Sequence, residues 1–226
     1  MKNYRGYLKK EYNRIFNSSK KDLINNNIDI DKNLLDISQD KRLSLTVIIP
    51  INVLFKNVID QLNKLEPEQY FYPSTDTHIT VIDFICDSDN SFLDKEKIEQ
   101  CKMILNNSIK NFSGFYINFK GLTASQNAVM VQGFFDTGLQ DLRNIIRKEC
   151  VRHGFELKER HQQTWAHSAI MRFKKKLKNP ELFVNEIETL RNTDFGSVKV
   201  NKILFVLHDW YNIKEKTKIL QEYKLK

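Results

Sequence analysis

The order of strand-like and helix-like segments constrains this chain most. From residue 43 onward, runs of alternating apolar and polar residues interleave with runs of helical spacing, yet several strand-like neighbours are separated only by short turns. That order argues for an α+β fold with mixed or antiparallel sheets. It argues against a doubly wound parallel sheet, in which every pair of strands needs a long crossover. One unit recurs: a strand with a histidine, then a helix, then a strand, over residues 78–122 and again over 167–210. The recurrence predicts two similar lobes facing each other. No Gly-, Pro- or Ser-rich linker divides them, so they read as one folding unit.

Strands are predicted over residues 43–52, ended near Pro50, and over 78–86, 114–122, 128–135, 167–173, 198–210 and 218–223. Helices are predicted over 53–65, over 94–109 with Asp94 as cap, over 139–153 closed by Gly154, and over 180–191 with Pro180 in the first turn. Residues 66–76 read as a loop carrying Tyr70, Phe71, Tyr72 and Pro73. Ahead of the repeated unit, residues 1–42 read as a helical extension. Tyr4, Tyr7, Leu8, Tyr12, Ile15 and Phe16 fall at helical spacing, and Lys2, Arg5, Lys9, Lys10, Arg14, Lys20 and Lys21 supply a basic face that is solvated or binds a polyanion.

A chain that is 41% hydrophobic and 11% aromatic can bury a core, which excludes global disorder. Cys86, Cys101 and Cys150 are too few and too scattered for a disulfide framework or a zinc knuckle, and a reducing, cytoplasmic setting is expected. No apolar run approaches the roughly 20 residues that span a bilayer, and the charged N-terminus lacks the apolar core of a signal peptide, so no membrane association is expected. The net charge of +8 favours polyanions such as nucleic acid or a nucleotide, with solubility alone as the competing explanation. Nothing signals an oligomer, and a monomer is expected.

Two short motifs carry the chemistry. In THITV (77–81), alternation puts His78 and Thr80 on one face of a strand and Ile79 and Val81 on the other. An imidazole beside a hydroxyl suits a phosphate: the first moves a proton near neutral pH, and the second donates to a phosphoryl oxygen. One such histidine is more often a packing residue. A second, His167 in WAHSAIMRF, opens a strand at the matching place in the other lobe. With HITV after an aromatic, proline-bearing loop, HSAI in the second lobe, and the closing run ILFVLHDWYNIKEKTKILQEYKL, residues 43–226 resemble the 2H phosphoesterase superfamily. That family carries two His-x-Thr/Ser motifs, one in each lobe of a pseudo-symmetric α+β fold, with the catalytic cleft between the lobes.

The resemblance implies a metal-independent phosphodiesterase, cofactor-free, acting on RNA ends or small nucleotides at a 2′,3′-cyclic phosphate or a 2′–5′ linkage. It implies catalytic roles for His78, Thr80 and His167. One departure stands out: where the family has a second hydroxyl, this chain has Ala169. A bulge could rotate Ser168 into the cleft, or Gln163, Thr164 or Arg172 could hold the phosphate instead. Arg172, five places from His167, needs a bulge or a strand end to reach the same cleft. If nothing compensates, the alternative is a non-catalytic nucleotide- or RNA-binding module. Tyr70 and Tyr72 are candidates to stack on a base. The basic run RFKKKLK (172–178) is either a guide for an RNA strand or a solvated turn. His153 ends a helix, where a basic residue suits the dipole, and His208 reads as structural; His161 and His167, six apart, lack a regular metal-binding spacing, and no metal-ligand pattern is present.

Overall fold

Leu8, Tyr12, Ile15, Phe16 and Leu23 recur at the spacing of one helical face, and all are buried on α1 (Tyr4–Ile24) in the computed structural model, which describes residues 4–88, 94–159 and 161–226. Residues 1–3, with Lys2 of the expected basic face, lie outside the described residues. α1 packs on β4 (Phe115–Ala124), β5 (Ala128–Phe134) and α5 (Pro180–Thr189), and its apolar side chains join the same large core as both lobes. The N-terminal stretch is therefore fastened to the body along its apolar face. No helix among the described residues is long and apolar enough to cross a membrane.

Two sheets form, and every strand pair within them is antiparallel. The first runs β3 (His78–Ser88), β1 (Leu43–Pro50), β8 (Lys202–Asp209), β9 (Lys218–Lys224). The second runs β2 (Tyr70–Phe71), β6 (Ser168–Arg172), β5, β4, β7 (Asp194–Val200). β3 is the outer strand of the first sheet, and only the two-residue β2 lies outside β6 in the second. β3 and β6 lie against each other, so each sheet brings its motif strand to the junction. α2 (Lys56–Leu65) follows β1, while α3 (Lys95–Ile109) packs on α4 (Gly138–Arg152). α4 in turn touches both β3 and β4, one strand from each sheet.

Two strand assignments change. The stretch read as one strand over 198–210 is two strands in different sheets, with Asn201 between them. The break goes with a change of phase: Val200 joins the large core at even spacing and Ile203 and Phe205 at odd spacing, while Leu204 and Val206 are buried on the opposite face in a separate cluster, so one flat strand could not turn all three into that core. The loop over 66–76 also contributes β2, whose Tyr70 and Phe71 pair with Arg172 and Met171.

Candidate active site

The junction of the two sheets holds a cavity of about 330 Å³ lined by His78, Thr80, His167, Arg172, Tyr72 and Ala169 among others. His78 and Thr80 share the face of β3 that opens into it. Farther along β3, the register against β1 slips three times, and with the slips between Thr80 and Ile82 and between Asp83 and Ile85, Thr80, Asp83 and Cys86, three residues apart each time, all reach the cavity. No sequence signal marks those slips, and Asp83 was not expected. Its carboxyl accepts from the Thr46 hydroxyl at 2.9 Å, and burial pushes its pKa up to about 6.

On β6 the register against β5 steps from Val129–Met171 to Met130–Ala169, leaving Ile170 as the extra residue of a bulge. Residues 169 and 172, which would face opposite ways in a regular strand, therefore both line the cavity. Arg172 Nε donates to the Tyr72 hydroxyl at 2.7 Å, which fixes the guanidinium there. Ser168 does not reach the cavity: the bulge falls after it, and its side chain stays fully buried on the other face with no hydrogen-bond partner among the described residues. Thr164 is not among the lining residues, whereas Gln163 is. Tyr70 is also placed elsewhere, packed at 5.2 Å from the Tyr72 ring and 5.4 Å from the Tyr211 ring. Of the residues expected to stack on a base, only Tyr72 lines the cavity, and it is almost wholly buried.

The histidines differ in how they are held. His78 Nδ1–H donates to the carbonyl of Asp76 at 2.9 Å, so the lone pair of the neutral ring lies on Nε2. Burial lowers its pKa, and the bond to Asp76 opposes that shift. His167 has no partner for Nδ1 among the described residues. Burial pushes its pKa down to about 4, helped by the positive charges of Arg143 and Arg172 and by His78. His208, expected to be structural, lines the same cavity, with its ring centre 6.0 Å from that of His78. Its Nδ1–H donates to the carbonyl of Asp209 at 2.7 Å, and burial followed by His78 brings its pKa down to about 3. All three imidazoles are therefore neutral near pH 7 in the unliganded protein.

Trp210 closes part of the rim, with the Arg42 guanidinium 4.4 Å and that of Arg172 5.5 Å from its ring centre. The basic run 172–178 is tied to the body. Lys175 and Lys178 meet Glu68 at 3.0 and 3.8 Å, and Lys176 donates to the Asn26 carbonyl. Among the described residues, no group of three or more His, Cys, Asp or Glu side chains could hold a metal ion.

The arrangement of two antiparallel sheets and flanking helices is similar to known folds. A phosphoesterase structure superposes with a TM-score of 0.56 at 15% identity, covering 83% of this chain and 99% of that one. TT0787 of Thermus thermophilus gives 0.61 at 11% identity, covering 80% and 97%. Escherichia coli LigT complexed with NADP+ gives 0.53 at 14% identity, covering 83% and 99%. At these identities the likeness is one of fold. No curated protein matches the sequence. The model of the AKAP7 2'5' RNA ligase-like domain, however, matches residues 42–223, most of the chain. The chain belongs to that family, and with it to the 2H phosphoesterase superfamily.

Proposed function

We propose that this protein is a phosphodiesterase in which His78 and His167 act as a general acid–base pair on RNA ends or small nucleotides, at a 2′,3′-cyclic phosphate or a 2′–5′ linkage. The observation that carries this reading is the convergence of the two histidines, one opening β3 of the first sheet and one just ahead of β6 of the second, on one cavity that also holds Thr80 and Arg172. In-line displacement at phosphorus puts the entering and leaving oxygens on opposite sides, so a base and an acid arriving from opposite walls fit it. One neutral imidazole removes a proton from the attacking water or ribose hydroxyl, and the other, protonated, gives one to the leaving oxygen. The bound phosphodiester supplies the charge that an unliganded cavity lacks. Its negative oxygens favour the imidazolium and offset the burial that keeps these rings neutral.

Thr80 and Arg172 are proposed as donors to the non-bridging oxygens. Arg172 offers a planar fork that stands in for the hydroxyl missing at Ala169. Two of the similar folds, LigT structures complexed with ATP and with 3'-AMP, hold nucleotides, which supports a nucleotide substrate here. Turnover of a 2′,3′-cyclic nucleotide and of a 2′–5′ oligonucleotide with EDTA present tests the reading, on the wild type, His78→Ala and His167→Ala. Activity in the wild type that vanishes in both variants is the expected result. Activity that survives both substitutions would overturn it. Ala169 favours one second reading, a binding module without catalysis, for which saturable binding without turnover is the signature.

A further inference from the structure

Beneath the cavity lies Arg143, on the helix that touches both sheets, with a wholly buried side chain. Among the described residues no carboxylate hydrogen-bonds it. Instead it donates to three main-chain carbonyls: Nε to Val81 at 2.7 Å, and Nη2 to Thr80 and to Trp165, each at 2.7 Å. Nη1 has no hydrogen-bond partner among the described residues. A buried cation held only by neutral carbonyls is costly, and burial brings its pKa down to about 9. A planar fork that reaches a strand and a neighbouring segment at once is what a guanidinium offers and an ammonium does not. The carbonyls it holds belong to the first motif strand, at Thr80 and the next residue, and to the segment two residues ahead of His167.

The same peptide unit is gripped from its other side. Trp165 supplies the carbonyl to Arg143, and the N–H of Ala166, across the same bond, donates to the Tyr12 hydroxyl at 3.2 Å. Tyr12 in turn donates to the carbonyl of Gly133 at 3.0 Å. Gly133 can approach because it lacks a side chain: a Cβ there would stand 2.0 Å from the Ala166 carbonyl oxygen. Tyr12 lies on α1, outside the 42–223 stretch of the family match.

We propose that Arg143, assisted by Tyr12, is a positioning residue that locks the His167 segment against the His78–Thr80 strand and so sets the geometry of the acid–base pair. The inference rests on the proposed function for its catalytic consequence, but the clamp itself has a readout that needs no turnover. Arg143 also sets a fixed positive charge near His167, alongside His78 and Arg172.

The test uses full-length Arg143→Lys, Arg143→Met and Tyr12→Phe, read by steady-state kinetics on a 2′,3′-cyclic nucleotide and by NMR titration of the imidazoles without ligand. Lysine keeps the charge but loses the fork. Its kcat should fall by about tenfold to a hundredfold with KM little changed, as expected for displaced reacting groups. Methionine removes the charge, so the His167 titration should move to higher pH. Tyr12→Phe should lower kcat in the same direction by a smaller factor. Wild-type kcat in Arg143→Lys, or an unmoved His167 in Arg143→Met, overturns the proposal. If the wild type turns over no phosphodiester, the proposed function fails, and the titrations alone decide the clamp. If neither Arg143 variant folds, Tyr12→Phe decides it: a His167 resonance and titration identical to wild type overturn the proposal, and a change centred on His167 supports it.

Discussion

The two half-sites differ more than a repeated motif suggests. On β3, His78 is hydrogen-bonded to the main chain two residues before it, and the Thr80 hydroxyl lies on the same face by simple alternation. At the start of β6, His167 just ahead of the strand lacks a partner for Nδ1 among the described residues, the matching hydroxyl is replaced by Ala169, and Arg172 enters by way of a bulge at Ile170. In the first half-site local geometry alone sets the histidine beside the hydroxyl, and Arg143 holds the strand through the Thr80 and Val81 carbonyls. The second depends on neighbours distant in sequence: Tyr72 for Arg172, and Arg143 and Tyr12 for the segment ahead of His167. A motif can thus lose one of its residues where tertiary contacts put another donor in reach.

Removing the proposed acid or base should break both halves equally. His78→Ala and His167→Ala should each lower kcat by roughly 10²–10⁴, and the double variant should be little worse than either single one, since the two act as a unit. Fully additive losses in a double-mutant comparison would show that the rings work independently. The donor residues should show the asymmetry. Thr80→Ala should lower kcat/KM by about tenfold, the worth of one hydrogen bond to a charged oxygen at ~1.5 kcal/mol. Ala169→Ser should gain much less than that if Arg172 serves the second half-site as proposed. A gain in Ala169→Ser as large as the loss in Thr80→Ala would mean that Arg172 does not stand in.

The pH dependence sharpens the same contrast. Both imidazoles have pKa values below the ordinary 6.5, His167 at about 4, and the proposed acid–base pair requires one proton shared between them in the free protein. The bell of kcat/KM should therefore peak on the acid side of 6.5. The bell of kcat should lie at higher pH, because the bound anion favours imidazolium. A kcat/KM maximum above 6.5 would contradict the neutral, buried pair. A further effect is on stability. His167 and His208 have folded pKa values depressed to about 4 and about 3, so their contribution is present above the unfolded value of 6.5 and is lost as pH falls through the folded values. Asp83, raised to about 6, works the opposite way, since its protonated form is favoured in the fold. Thermal melts of His208→Gln should show a shallower loss of stability between pH 6.5 and 3 than the wild type. An unchanged slope would mean that His208 does not hold a buried neutral ring.

Some of this site could be read along the chain and some could not. Strand alternation suffices to put His78 and Thr80 on one face, and the recurrence of strand, helix and strand suffices to expect two lobes. The break at Asn201 left a trace in the phase of the apolar residues, Val200 against Ile203 and Phe205, that a continuous strand reading passes over. The bulges left none: Ile170 on β6 and the slips along β3 decide that Arg172 and Asp83 enter the cavity and that Ser168 does not. His208 looked like packing because its neighbour two strands away in the same sheet, His78, is remote in sequence.

By itself, the sequence determined the α+β order of elements and the two histidine-bearing strands, because periodicity and turn chemistry are local properties of the chain. Only the tertiary structure decided which residues share the cavity. Ladder register depends on the partner strand, and the neutral state of the imidazoles depends on burial. The hold on His167 depends on a buried arginine and a tyrosine from α1, whose roles appear only once two sheets and a helix have closed around them.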